Sequence, residues 1–208
     1  MTLELLLEKD ADLDLVARAI LAGELVIAPT DTIYALTANA TDDDAVAKVY
    51  FAKKRSGDLP LPILVRDIEH AEQFAVFSAN AKRLAEKFWP GALTLILPLK
   101  PSATISKVAL HNEGSIALRV PQHKFFQQLL HKTQVPLVGT SANISGSATS
   151  DTLYGMISEF EQQVRYAIAS KQDGAFNPVP STIVDCRSDD FKIVRQGALT
   201  IPTDLIEN

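Results

Sequence analysis

Apolar and polar positions follow two rhythms along this chain, and each rhythm predicts a kind of element. Between positions 12 and 22, Leu13, Val16, Ala17, Ile20 and Leu21 recur at helical spacing, and Gly23 supplies a natural stop. The apolar run Leu25-Val26-Ile27-Ala28 predicts a strand that Pro29 breaks. Thr41 followed by Asp44 resembles a capping-box variant, opening a helix through Val46, Val49, Tyr50 and Phe51 that delivers Lys53, Lys54 and Arg55 at its end. Cations are favourable at that end of a helix. Strands over 61–65, 92–97, 115–120 and 137–140 interleave with helices over 68–74, from the Ser78 cap through Trp89, and over 125–131. The last third predicts a helix over 153–161 and strands over 166–169, 182–185 and 192–195. The interleaving predicts an α/β single domain over residues 1–200, with 201–208 as a C-terminal tail. The closely spaced late strands favour a mixed, twisted sheet over a purely parallel one.

Composition narrows this picture. A chain of 208 residues, 47% hydrophobic, is long enough to bury a substantial core. Its net charge of -5 argues against a surface that traps anions everywhere, but leaves room for a local basic pocket. Cys186, the single cysteine, allows no internal disulfide and no thiolate metal site. His70, His111, His123 and His131 lack metal-ligand spacing and read mostly as surface residues, so no metal bound by protein ligands is expected. The first ten residues carry glutamates in a leucine run, unlike an export signal, and no apolar stretch reaches membrane-spanning length. The expectation is a soluble cytoplasmic protein.

Candidate chemistry lies at the ends of predicted elements. Val138-Gly139-Thr140-Ser141-Ala142-Asn143-Ile144-Ser145-Gly146 follows an apolar run, and its small hydroxyl and amide residues suit phosphate or ribose oxygens. A plain polar turn fits it equally. Pro29-Thr30-Asp31-Thr32-Ile33-Tyr34 and Lys53-Lys54-Arg55 occupy similar strand and helix ends, where open sheets place ligands. Two cations beside neutral hydroxyls would bind a polyphosphate, although Lys53 to Arg55 also reads as a solvated helix end. Arg119, within an apolar strand, needs a partner, either a carboxylate of this chain or a ligand. Ser181-Thr182 and Arg195-Gln196-Gly197 are further candidates, and Trp89-Pro90-Gly91 reads as a packed helix end. No phosphate-binding loop ending in Gly-Lys-Ser/Thr and no Gly-x-Gly-x-x-Gly is present, and Ser141 lacks a nucleophile elbow.

Taken in order, seven segments resemble the YrdC family, which includes the threonylcarbamoyl-AMP synthases of tRNA modification. They are Pro-Thr-Asp-Thr-Ile-Tyr at 29–34, Ala-Lys-Lys-Arg at 52–55, Trp-Pro-Gly-Ala-Leu-Thr at 89–94, Leu-Arg-Val-Pro at 118–121, Thr-Ser-Ala-Asn-Ile-Ser-Gly at 140–146, Pro-Ser-Thr-Ile-Val-Asp at 180–185 and Val-Arg-Gln-Gly at 194–197. The resemblance implies a strongly twisted mixed sheet flanked by helices, with a concave cavity for ATP, L-threonine and bicarbonate. It also implies Mg²⁺ carried by the ATP phosphates rather than by a protein cage. Threonylcarbamoyl-AMP and pyrophosphate would form there, and pathway proteins would carry the group to N6 of adenosine 37 in tRNA. By the same resemblance, Lys53, Arg55, Ser141 and Asn143 form the catalytic signature. Arg55, Ser115, Ser141, Thr149 and Arg195 would meet the nucleotide, while Thr32, Arg119 and Ser181 would meet threonine.

The chain departs from the family pattern at Leu59 and Leu64, where Asn and His are frequent, at Ala35 to Thr37 in place of Gly-Leu-Gly, and at Gly139 in place of Ser. These changes keep open a paralogue acting on another carbamoyl or acyl-adenylate substrate. A double-stranded RNA or tRNA-binding module is a third reading, resting on Lys53 to Arg55 with Arg66, Lys82, Arg83 and Lys87 as rim charges.

Overall fold

The computed structural model describes residues 3–9, 11–57, 59–110, 114–146, 152–170, 179–188 and 190–202. Helices are α1 (Leu13–Leu21), α2 (Asp43–Ala52), α3 (Ile68–Ala71), α4 (Ala79–Phe88), α5 (Lys124–Thr133) and α6 (Leu153–Phe160). Strands are β1 (Glu4–Leu7), β2 (Leu25–Ala28), β3 (Ala35–Asn39), β4 (Ile63–Leu64), β5 (Leu93–Pro98), β6 (Ser115–Arg119), β7 (Leu137–Ser141), β8 (Val164–Ala169), β9 (Thr182–Asp185) and β10 (Lys192–Arg195). The strands form one open ten-stranded sheet in the order β1-β8-β2-β3-β7-β4-β6-β5-β9-β10. It is mixed: β1/β8, β2/β8, β4/β6 and β5/β9 are parallel pairs, and the others are antiparallel.

Period-two alternation sorts the central strands into two faces. Leu36, Ala38, Ile63, Leu93, Leu95, Leu118, Val138 and Val184 point one way and pack with Val46 and Val49 of α2, Leu84 of α4 and Phe160 of α6 in the larger core. On the other face α1 and α5 pack through Val16, Ile20, Phe126, Leu129 and Leu130 on Val26, Ala28, Tyr166 and Ile168, and the cluster they form reaches Ala35 of β3, Leu137 of β7 and Leu64 of β4. Beyond that cluster, over the ends of the strands from β3 to β10, a hollow opens on this face. Ile201, 5% exposed, belongs to the larger core, so the body of the domain includes the first residue of the expected tail.

Several local expectations shift. Asp42, not Thr41, caps α2: its carboxylate accepts from the Asp44 and Ala45 amides, while Thr41 bonds the Asn39 side chain. The strand expected over 61–65 shrinks to Ile63–Leu64, because prolines at 60 and 62 lack the amide a longer ladder needs. β1 and β3 had no sequence signal strong enough to predict them. β3 reads Ala-Leu-Thr-Ala-Asn, poor in β-branched and aromatic residues, and its central position between β2 and β7 overrides that weak propensity. His70 is 2% exposed and accepts the Arg66 amide through Nδ1, so it is a core residue rather than a surface one. Burial first, then the Arg66 charge, pushes its pKa down to about 4.

Asp42→Ala should lower stability by about 1 kcal/mol, the usual worth of a lost N-cap, whereas Thr41→Ala should leave α2 capped; denaturant midpoints of the two variants measure this.

Candidate active site

The hollow collects the ends of seven sheet neighbours from β3 to β10. Ala35, Leu64, Ile96, Ala117, Gly139 and Ile183 contribute an apolar floor. Thr30, Thr32, Thr94, Thr140, Ser141 and Ser181 contribute hydroxyls, and Arg55, Arg119 and Arg195 the charge. Among the described residues no carboxylate lines it. A concave, water-accessible hollow with three guanidiniums and, among the described residues, no acid suits an anion.

Each arginine is held by the chain, and among the described residues its hydrogen bonds use fewer than its five N–H groups. Arg119, 6% exposed, donates from Nε to the Gly91 carbonyl at 2.9 Å, from Nη1 to Thr32 Oγ1 at 2.8 Å and from Nη2 to Asp31 Oδ1 at 2.6 Å. One side chain thus binds the 29–34 and 89–94 segments to β6. The carboxylate partner expected for a strand arginine is Asp31, which also accepts the Gln122 amide. Arg195 donates from Nε and Nη2 to the Ser181 carbonyl at 3.1 and 2.8 Å, and Ser181 Oγ lies 2.8 Å from Thr94 Oγ1. Arg55, at the chain turn after α2, donates from Nη2 to the Pro60 carbonyl at 3.0 Å. Among the described residues no carboxylate pairs with Arg55 or Arg195. Burial lowers the pKa of both, and the neighbouring Arg119 charge lowers that of Arg195 further. Anion binding would relieve this crowding of like charges.

Lys53 sits directly behind Ser141 rather than in the lining. It is 1% exposed, and its Nζ donates to the Ser141 carbonyl at 2.5 Å, the Asn143 carbonyl at 2.6 Å and Asn143 Oδ1 at 3.3 Å. Ser141 Oγ in turn donates to Asn143 Oδ1 at 2.5 Å, and the Lys53 carbonyl accepts the Ser145 amide at 2.9 Å. The polar turn after β7 is therefore fastened to the end of α2, and its conformation depends on a buried ammonium. Burial first, then the Arg55 charge, lowers the Lys53 pKa to about 8, against an opposing pull from Glu159.

The structure brings Lys53, Arg55, Ser141, Asn143, Thr32, Arg119, Ser181 and Arg195 around one hollow. Ser115 shares the hollow-facing side of β6 with Ala117 and Arg119, but stands one pleat further on, opposite Pro98 and outside the lining. Thr149 lies outside the described residues. Sequence reasoning assigned no role to Asp31, Thr30, Thr94 or Thr140, although each stands inside a segment singled out above; their roles depend on register and on cross-chain partners. Among the described residues no group of three or more His, Cys, Asp or Glu could hold a metal ion, and no helix is long and apolar enough to cross a membrane.

Residues 18–197 match the Sua5/YciO/YrdC family model, described as "Telomere recombination". The chain is 36% identical over 194 residues to a putative threonylcarbamoyl-AMP synthase of Methanocaldococcus jannaschii, covering 93% of this chain and 89% of that one. It is 35% identical over 179 residues to the threonylcarbamoyl-AMP synthase of Bacillus subtilis, covering 86% of this chain and 51% of that one. This chain thus spans about half the length of the Bacillus relative. Among solved structures, Sua5 of Pyrococcus abyssi complexed with L-threonine superposes with a TM-score of 0.86 at 30% identity, covering 96% of this chain and 58% of that one. YciO of Escherichia coli superposes with a TM-score of 0.83 at 22% identity, covering 95% of this chain and 97% of that one, a likeness of fold.

The Lys53 geometry carries a pH signature of opposite signs. Above about pH 8 the ammonium loses a proton and one of its three donors, so pyrophosphate or ATP affinity should fall, with a midpoint near 8. Because the folded pKa lies below the ordinary 10.5, the unfolded chain binds more protons between about 8 and 10.5, and stability attributable to this group should rise over that window. Lys53→Met should flatten the affinity profile; a profile unchanged from the native one would remove Lys53 from control of the turn.

Proposed function

The chain belongs to the Sua5/YciO/YrdC family, and on that footing we propose that it is a threonylcarbamoyl-AMP synthase, joining L-threonine, bicarbonate and ATP into threonylcarbamoyl-AMP and pyrophosphate. The observation that carries this reading is the convergence of Arg55, Arg119 and Arg195 with Ser141, Thr32 and Ser181 on one hollow. Names carried by the relatives support it, as does the L-threonine complex of the Pyrococcus protein.

In this scheme the threonine amine attacks bicarbonate-derived CO₂ and loses a proton, giving a carbamate. A carbamate oxygen then attacks the α-phosphorus of ATP, the α–β bridging P–O bond breaks, and pyrophosphate leaves with the electron pair. The reaction needs alignment and charge neutralisation more than a covalent nucleophile. Arg55 and Arg195 would neutralise phosphate oxygens, and Ser141 would hydrogen-bond them. Lys53 and Asn143 would keep the Ser141 turn in shape, so their part in catalysis passes through that turn. The remaining N–H groups of Arg119, with Thr32 and Ser181, would take the amino-acid carboxylate and amine. With no carboxylate in the lining among the described residues, Mg²⁺ would arrive as part of the ATP substrate, held by phosphates and water. Delivery of the product toward tRNA would fall to partner proteins. The duplex-RNA reading draws less support, since one of its rim charges, Lys82, is paired at 2.8 Å with Glu72.

Purified protein should release pyrophosphate only when ATP, L-threonine and bicarbonate are all supplied; threonine-independent release would reject the reading. Arg55→Ala should weaken ATP binding by about 1.5–3 kcal/mol, the scale of a charge-assisted hydrogen bond, measured by calorimetry; unchanged affinity would take Arg55 out of the site.

A further inference from the structure

The turn that carries Ser141 is held from two sides, and only one of them belongs to a segment already given a role. On one side the Lys53 ammonium, at the end of α2, takes the Ser141 and Asn143 carbonyls at 2.5 and 2.6 Å. On the other, Glu159 in the last turn of α6 accepts the Ile144 amide through Oε2 at 2.9 Å. A cation thus gathers carbonyl oxygens and an anion an amide hydrogen within residues 141–144, and the Lys53 carbonyl closes the set on the Ser145 amide at 2.9 Å. Met156 and Phe160 anchor α6 in the larger core, which leaves the half-buried Glu159 facing the turn. The charged groups that bear on Lys53 are Arg55, on the chain turn after α2, and Glu159, from α6. Arg55 disfavours the ammonium and Glu159 favours it, so without the carboxylate both burial and a like charge stand against it.

We propose that Glu159 is a positioning residue for phosphate binding, which fixes the Ser141 turn by holding the Ile144 amide and by supplying the counter-charge to the Lys53 ammonium. The inference rests on the phosphate part of the synthase reading and extends its machinery to a helix outside every segment singled out in the sequence. Glu159 is not among the residues that line the hollow, so it acts through Ile144 and Lys53 rather than on a ligand. Its two routes differ in what they require. Holding the Ile144 amide needs an acceptor oxygen, which glutamine keeps, whereas supporting the ammonium needs a negative charge, which glutamine lacks. Well below pH 8 the ammonium is present with or without Glu159, and only loss of the acceptor shows. Near pH 8 the charge shows as well, because without the carboxylate Lys53 gives up its proton at lower pH and the turn loses a donor. Ser141 Oγ is bonded to Asn143 Oδ1 at 2.5 Å, so slack in the turn moves the hydroxyl that would meet the phosphate.

The test reads Lys53 directly. Its Cε resonance in the full chain, labelled at lysine with carbon-13 and assigned by its absence from Lys53→Met, is followed by NMR from below to above pH 8, and pyrophosphate affinity is measured by calorimetry over the same range. In native protein the titration should centre near 8. Glu159→Gln should lower that midpoint by about 0.2–0.7 pH unit, the scale of a partly exposed ion pair, carry the affinity midpoint with it, and keep native affinity well below pH 8. Glu159→Ala should show the same Lys53 shift and, in addition, about two- to tenfold weaker pyrophosphate binding throughout, the worth of one hydrogen bond. Glu161→Gln, which removes an equal charge from an exposed position just beyond α6, should leave the Lys53 midpoint in place. A Lys53 midpoint unmoved by Glu159→Gln, or moved as far by Glu161→Gln, overturns the inference; should Glu159→Ala fail to fold, the glutamine variant still decides. Native protein that binds neither pyrophosphate nor ATP overturns the synthase reading itself, an outcome distinct from native binding with an unmoved Lys53.

Discussion

One stretch of sheet face left without a helix governs the rest of this structure. Alternation along β3, β7, β4, β6, β5 and β9 sends Leu36, Val138, Ile63, Leu118, Leu95 and Val184 into the larger core. On the opposite face the cluster built by α1 and α5 covers β2 and β8 and reaches Ala35, Leu137 and Leu64, and past it the hollow opens. A bare apolar sheet face would be a docking or aggregation surface. Here arginines and hydroxyls rim a small aliphatic floor, which keeps the face wet at its edges and suits it to a ligand instead.

Holding that face open requires charges that are fixed but not spent. Arg119 is tied to Asp31, Thr32 and Gly91, and Arg195 to Ser181, so the guanidiniums are pre-oriented before any ligand arrives. Removing one member of a buried pair such as Asp31–Arg119 strands the other charge, at a cost of about 3–5 kcal/mol. The same residues thus contribute to folding and to recognition. Lys53 shows a related economy: its ammonium never enters the hollow, yet by gathering two carbonyls and an amide oxygen it fixes the turn on which Ser141 stands. Electrostatic preorganisation of this kind avoids reorganisation at the moment of reaction.

Much of the architecture was legible in the sequence because local signals agreed with the fold. α1 and α4 carry side-chain N-caps at Asp12 and Ser78, and Gly23 with φ +77° closes the turn after α1. β2, β9 and β10 stand where their apolar runs place them. The segments 29–34, 140–146 and 180–185 were legible as site material because small polar residues flank apolar strands. What escaped was non-local. β3 is a strand because β2 and β7 flank it, not because Ala-Leu-Thr-Ala-Asn prefers to be one. Lys53 and Arg55 looked alike as helix-end cations, yet α2 turns the first inward to carbonyl oxygens and leaves the second on the hollow. The substitutions at Leu64 and Gly139 looked like two separate departures from a family pattern; only the β4–β7 register makes them one packing event.

A crystal structure with a non-hydrolysable ATP analogue and L-threonine tests the account most directly. The account predicts triphosphate oxygens within hydrogen-bonding distance of Arg55, Ser141 and Arg195, on the uncovered face between β3 and β10. Phosphates lodged elsewhere, such as the second hollow lined by Asp31, His123 and Lys124 beside the start of α5, would contradict it.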